Sequence, residues 1–151
     1  MTEPAPCTLN RDEIQQLIPH RPPFLWLDEV TECRETALRA RMFIDPQLDV
    51  FQGHYPGFPV LPGVLQCEAA FQAGAVLIAR QYPPSAGQVP VVTRLNQVQF
   101  RKMVRPGQTL EIDVGLVEKL SNAYFLKARV SVEGQTTVRL EFACALADPE
   151  S

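Results

Sequence analysis

A chain of 151 residues, 46% hydrophobic and 21% charged, has the size and balance of one globular domain that buries a core of its own. Its formal charge of -3 argues against a general nucleic-acid binder. The four cysteines (Cys7, Cys33, Cys67 and Cys144) are scattered, form no C-x-x-C pair and share the chain with only two histidines, which argues against a zinc site.

The amino terminus, MTEPAPCTLNRDE, lacks a basic start followed by an apolar run, so it does not read as a signal peptide, and reduced thiols in the cytoplasm are the expectation. Residues 1–8 read as a flexible, proline-containing tail. NRDEIQQLIP predicts a short helix. Asn10 caps it, Asp12 and Glu13 suit its positive end, Pro19 stops it, and Ile14, Leu17 and Ile18 form its apolar face. Phe24–Cys33 and Ala37–Ile44 predict two strands joined as a hairpin; Leu38, Ala40, Met42 and Ile44 alternate with Arg39, Arg41 and Phe43.

Asp45–Leu61 is irregular and rich in proline and glycine, the kind of long connection that is usually functional or disordered. It leads into a long helix starting near Pro62 and closed by QYPPSAGQVP. Val64–Ala79 is too short to span a bilayer comfortably and carries Glu68, so it predicts a buried core helix, with Cys67 inside and inert. Four strands follow, over Val91–Lys102, Thr109–Lys119, Ala123–Val132 and Thr136–Ala147. Their three short links carry turn chemistry and imply a meander. Phe24, Trp26, Phe100 and Phe125 read as core. A helix apolar on nearly every face must be surrounded, and the simplest packing curls the sheet around it.

Glu68 is the one ionisable residue of that helix's apolar stretch, and His54 sits just upstream among Gly53, Pro56, Gly57, Pro59 and Pro62. Either alone reads as ordinary: a glutamate on a wet groove, a histidine on a surface loop. Together they suit acid–base work. Burial among Leu65, Cys67, Ala69, Phe71 and Ala75 would favour a carboxyl that holds its proton and acts as a general acid. A neutral imidazole supplies the base. Gln72, one turn on, can fix the carboxyl. Gly63, at the helix start, offers an unpaired N–H to developing negative charge and lets a ligand approach. Base, acid and oxyanion donor suit proton abstraction beside a carbonyl with loss of a leaving group. Arg101, Lys102 and Arg105 form a basic cluster that reads as a solvated face or a docking patch for an acidic protein. His20 reads as structural, at the end of the first helix, with contact at the mouth of a substrate tunnel as the lesser reading.

LIPHRPPFLWLDEV, FQGHYPGFPVLPGVLQCEAAFQAGAVL and VQFRKMVRPGQTLEIDV resemble, in order and spacing, three blocks of the FabZ-type beta-hydroxyacyl-acyl-carrier-protein dehydratases of the hot-dog superfamily. The resemblance runs from Leu17 to Ala147. It implies an α+β hot-dog fold, a curved antiparallel sheet around one central helix, as a single domain over residues 1–151. It implies dehydration of (3R)-hydroxyacyl thioesters to trans-2-enoyl thioesters, with no metal or redox cofactor and with acyl carrier protein as partner. His54 and Glu68 fall on the catalytic pair, and Gly63 on the residue whose N–H binds the thioester carbonyl. Val64, Gln72, Tyr55 and Phe71 fall around the substrate. It further implies sites shared between the subunits of a homodimer, and hexamers of three dimers.

The chain departs from the family at Tyr55 (commonly Phe), at Ala70–Phe71 (commonly Met-Ala) and at Arg94, Leu95, Asn96 and Gln97 (commonly Gly-Ile-Asp-Lys). These positions bear on acyl length and carrier. Glu68 in place of Asp points away from the dehydratase–isomerase branch. A thioesterase and a non-catalytic acyl-binding subunit are the alternatives the fold allows.

Overall fold

The computed structural model describes residues 7–85 and 87–148. Its elements are β1 (Cys7–Leu9), α1 (Arg11–Leu17), β2 (Glu29–Cys33), β3 (Ala37–Phe43), α2 (Val50–Gly53), α3 (Gly63–Gln81), β4 (Val89–Phe100), β5 (Thr109–Leu120), β6 (Ala123–Val132) and β7 (Gln135–Ala147).

The expected first helix is α1. Asn10 and Glu13 exchange side-chain and backbone hydrogen bonds across its start, a full capping box. Cys7 and Thr8, expected in the tail, instead lie in β1, which pairs with β2 through Cys7 and Leu9; residues 1–6 of that tail lie outside the described residues. Residues 24–28, expected as the start of a strand, form an irregular segment, and β2 begins at Glu29.

Among the described residues the strands form one antiparallel sheet in the order β1-β2-β3-β5-β6-β7-β4. The hairpins β2–β3, β5–β6 and β6–β7 are as expected. The full meander is not: β4 pairs with β7 and β5 with β3. Residues 101–108 therefore cross the sheet instead of turning back. An eight-residue link reaches about 26 Å when extended, ample for the roughly 14 Å across three strand spacings. The crossing is held by backbone bonds from Arg101 N–H to Thr137 O (2.8 Å) and from Leu61 N–H to Val104 O (2.8 Å).

The sheet wraps α3, which packs against β3, β4, β5, β6 and β7. Ala69, Ala70, Ala73 and Gly74 let the strands come close. A Cβ on Gly74 would lie 2.9 Å from the Phe142 ring and 3.2 Å from Leu126, so glycine sets the depth of this packing. The core adds Ile112, Val130, Leu140, Phe142 and Trp26. Phe24 and Phe100, expected inside, are 49% and 58% exposed; Phe125 is half-buried, and Tyr124 takes the inward position beside it. Inward alternation in β6 puts residue 124 on the helix side and 125 on the other.

Candidate active site

The loop carrying His54 is anchored by α2, whose Phe51 is buried. His54 closes α2 with its N–H on Val50 O at 3.1 Å. Its Nδ1 lies 2.7 Å from Val60 O. A carbonyl only accepts, so Nδ1 carries the proton and Nε2 keeps a bare lone pair, the form a general base requires. Tyr55 follows in the left-handed region (φ 53°), a local strain of about 1–3 kcal/mol for a non-glycine residue. Its ring stands edge-on to the imidazole at 4.6 Å. The strain is held by the turn that joins Phe58 N–H to Tyr55 O at 2.8 Å.

The loop ends at Pro62, and α3 opens with Gly63. The first N–H groups of a helix have no intrahelical partner. A cavity of about 570 Å³ lies here, lined by His54, Gly63, Val64, Gln66, Phe100 and Met103, with Arg101 and Lys102 also in its wall. Phe100 lies directly on Gly63: a Cβ there would be 2.6 Å from two ring carbons. The close approach that glycine permits is thus already used by an exposed aromatic ring. Concavities on the outer face of the sheet, about 470 Å³ beside Arg39 and Asp113 and about 620 Å³ beside Arg41 and Glu111, are grooves between ion-paired strands, away from α3.

Glu68 lies further along α3, with 22% of its side chain exposed. Gln72 is fully buried and completely engaged. Its Oε1 accepts the Trp26 N–H at 2.7 Å, and its amide donates to Phe24 O and Glu68 Oε2, both at 2.9 Å. Because Oε1 takes a backbone donor, the amide must turn its N–H groups toward Glu68. His20 also reaches this oxygen, its Nε2 lying 3.7 Å from Glu68 Oε2. Burial holds the His20 imidazole below the usual histidine range; Glu68 pulls the other way and Arg21 reinforces the burial.

Within one chain, then, the geometry gathers His54, Gly63, Val64, Arg101 and Lys102 around the cavity, and Glu68, Gln72 and His20 around the carboxylate. Among the described residues no polar contact joins His54 to Glu68. Val64 and Tyr55 are 68% and 65% exposed beside the cavity. Phe71 is half-buried, its ring edge-on to Phe142 at 5.1 Å. Arg105 stacks over Phe58, 4.3 Å from the ring centroid. Cys67 is buried, and desolvation pushes its thiol up. The sequence reading makes His20 structural first and a contact of the tunnel mouth second, and Phe100 core; the structure instead sets His20 against Glu68 and Phe100 against Gly63. Among the described residues no three ligand-type side chains cluster as a metal site would require, and no helix is long and apolar enough to cross a membrane.

Residues 30–139 match a family model described as ApeI dehydratase. The chain is 36% identical over 138 residues to the 3-hydroxyacyl-[acyl-carrier-protein] dehydratase FabZ of Clostridium perfringens, covering 91% of this chain and 99% of that protein. It is 40% identical over 128 residues to FabZ of Oenococcus oeni, covering 84% and 91%. Among solved structures, the dehydratase heterocomplex ApeI:P from Xenorhabdus doucetiae superposes with a TM-score of 0.75 at 15% identity, over 91% of this chain and 92% of that one. That likeness is one of fold: the α+β hot-dog arrangement.

Proposed function

The chain belongs to the FabZ-type dehydratases of the hot-dog fold, and we propose that it removes water from (3R)-hydroxyacyl thioesters of acyl carrier protein to give trans-2-enoyl thioesters. The observation that carries the mechanism is the His54–Val60 bond, which leaves Nε2 bare beside the free N–H groups at the start of α3. Nε2 takes a proton from C2. The C2 electrons form the C2–C3 double bond, and the C3–oxygen bond breaks. Glu68 gives its proton to the departing hydroxyl, which leaves as water. The Gly63 N–H holds the thioester oxygen while charge develops there. Atoms and electrons balance without a metal or redox cofactor.

Because no polar contact joins His54 to Glu68 among the described residues, and Glu68 does not line the cavity that His54 lines, the proposed site brings His54 of one protomer to Glu68 of the partner subunit. The edge strand β4 supports a homodimer. It is twelve residues long, and Val91, Val92, Leu95 and Phe100 are 39–58% exposed. A long apolar edge invites pairing with another strand unless it is covered. Three such dimers form the proposed hexamer. Arg101, Lys102 and Arg105, at and beside the cavity, are the proposed docking points for the acidic carrier, whose pantetheine arm would enter there. Free, largely buried thiols fit a reducing cytoplasm.

The test is turnover of 3-hydroxyacyl-carrier thioesters across chain lengths, followed by enoyl absorbance alongside a free-thiol assay. Enoyl product without thiol release is expected. His54→Ala and Glu68→Gln should each lower turnover at least ~100-fold. Near-wild-type turnover in either variant refutes its role, and thiol release in place of enoyl product refutes the reaction.

A further inference from the structure

Glu68 has a neighbour that the proposed reaction does not use. His20 Nε2 faces Glu68 Oε2 at 3.7 Å, the same oxygen that takes the Gln72 amide at 2.9 Å. The other imidazole nitrogen, Nδ1, is buried and, among the described residues, meets no hydrogen-bond partner. That orphan decides where the proton sits. A proton on Nδ1 would be a buried donor without an acceptor, and an imidazolium would carry the same fault. Only the neutral ring with its proton on Nε2 leaves no donor stranded, and that N–H points at Glu68.

The charged groups that bear on the ring are Glu68, from α3, and Arg21, from its own segment. Arg21 is turned back onto the carbonyls of Ile18 and His20, at 2.8 and 2.7 Å. Gln72, the remaining polar neighbour of the carboxylate, is neutral and fully engaged.

We propose that His20 is a positioning residue for Glu68: a neutral Nε2–H donor that shares Oε2 with Gln72 and so leaves Oε1 as the oxygen that holds and delivers the proton. This rests on the reading of Glu68 as the acid. An oxygen facing two N–H groups is a poor place for an O–H, so the proton goes to the other one. Two donors on one oxygen also stop the carboxyl from turning over and exchanging its oxygens. The 3.7 Å gap is long for a hydrogen bond, and contacts of this kind tighten when substrate binds.

The experiment uses the full chain with three changes. His20→Phe keeps a ring and removes the donor. His20→Gln returns an amide N–H near the Nε2 position. His20→Phe is also combined with Glu68→Gln. Nitrogen–proton NMR reads the His20 tautomer, and kcat and kcat/KM are followed against pH on a 3-hydroxyacyl-carrier thioester.

Expected are an Nε2–H tautomer at neutral pH and, in His20→Phe, a limb of the profile displaced upward, since a donor facing the carboxylate has been lost. The same variant should lose about tenfold in kcat with KM held, His20→Gln should restore the limb, and His20→Phe should add nothing to Glu68→Gln. An Nδ1–H tautomer, a fall in kcat with both limbs unmoved, or an additive double variant overturns the proposal. Absence of enoyl product from the wild-type chain, with the tautomer as expected, would instead remove the dehydratase reading and leave the His20–Glu68 contact standing.

Discussion

Replacing Gln72 with leucine tests whether Glu68 is held from inside the core. Gln72 is fully buried and bonds the Trp26 N–H, the Phe24 carbonyl and Glu68 at 2.7, 2.9 and 2.9 Å. Leucine keeps the bulk and removes all three bonds. The buried Trp26 N–H loses its acceptor, at about 1–3 kcal/mol. The Phe24 carbonyl is part-buried and loses about 1 kcal/mol. Added apolar burial returns about 1 kcal/mol. The net loss is about 2 kcal/mol, which at a urea slope of about 2 kcal/mol per molar lowers the unfolding midpoint by about 1 M. Glu68 meanwhile loses its firmest partner, and turnover of the folded variant should fall about tenfold. The assays are urea unfolding by circular dichroism and enoyl formation corrected for folded fraction. A midpoint within about 0.2 M of wild type refutes the burial argument. A lowered midpoint with full turnover refutes the claim that Gln72 positions the carboxylate.

Charge reversal at Arg101, Lys102 and Arg105 should raise KM for carrier-linked substrate about tenfold and flatten its salt dependence, with little change for a short pantetheine thioester; an equal effect on both substrates would remove the docking role. Gly63→Ala sets a Cβ 2.6 Å from Phe100 and forces that exposed ring aside. Its stability loss should stay under about 1 kcal/mol while turnover falls about tenfold, and adding Phe100→Ala should recover part of the loss; no recovery would show that the ring is not the obstacle. Burial holds His20 below its ordinary value of 6.5 in the folded chain, so between those two values the unfolded chain binds more protons. Stability should therefore fall as pH drops below about 6.5, less steeply in His20→Gln; an equal fall in the urea midpoint of both chains between pH 7 and pH 5 would refute it.

Local signals in the sequence were read correctly where local physics decides. Asn10 and Glu13 announce α1 because a capping box is satisfied within four residues. The apolar circumference of α3 demands a wrapping sheet. In β6 the strand bounds are as expected, but Phe125, taken as core, lies on the face away from the helix and Tyr124 takes the inward place. The position of β4 was not legible in this way. Pro106 and Gly107 make a good turn between β4 and β5, but turn chemistry does not say which distant strand completes the ladder. The partner is β7, through a register joining Val89 to Ala147 and Phe100 to Val138. Long-range pairing of this kind is settled by the whole sheet, and the contact between His20, in the irregular segment after α1, and Glu68, in α3, is likewise one between distant parts of the chain.

The exposed face of β4 and the proposed sharing of His54 and Glu68 between two copies bear on the same surface. β4 carries exposed apolar residues along most of its length, a pattern that fits neither a core strand nor an ordinary solvated edge. Val64 and Glu68, four residues apart on one face of α3, are left open on the same molecule. Phe100 ties these regions together, since it ends β4 and lies on Gly63 at the head of α3. On the proposed assembly a second copy covers the edge of β4 and supplies the missing wall beside Glu68. On that assembly the exposed aromatic ring, the open outer edge of β4 and the lack of a contact between His54 and Glu68 have one cause: each chain folds around its own helix and the proposed site is completed by a second copy.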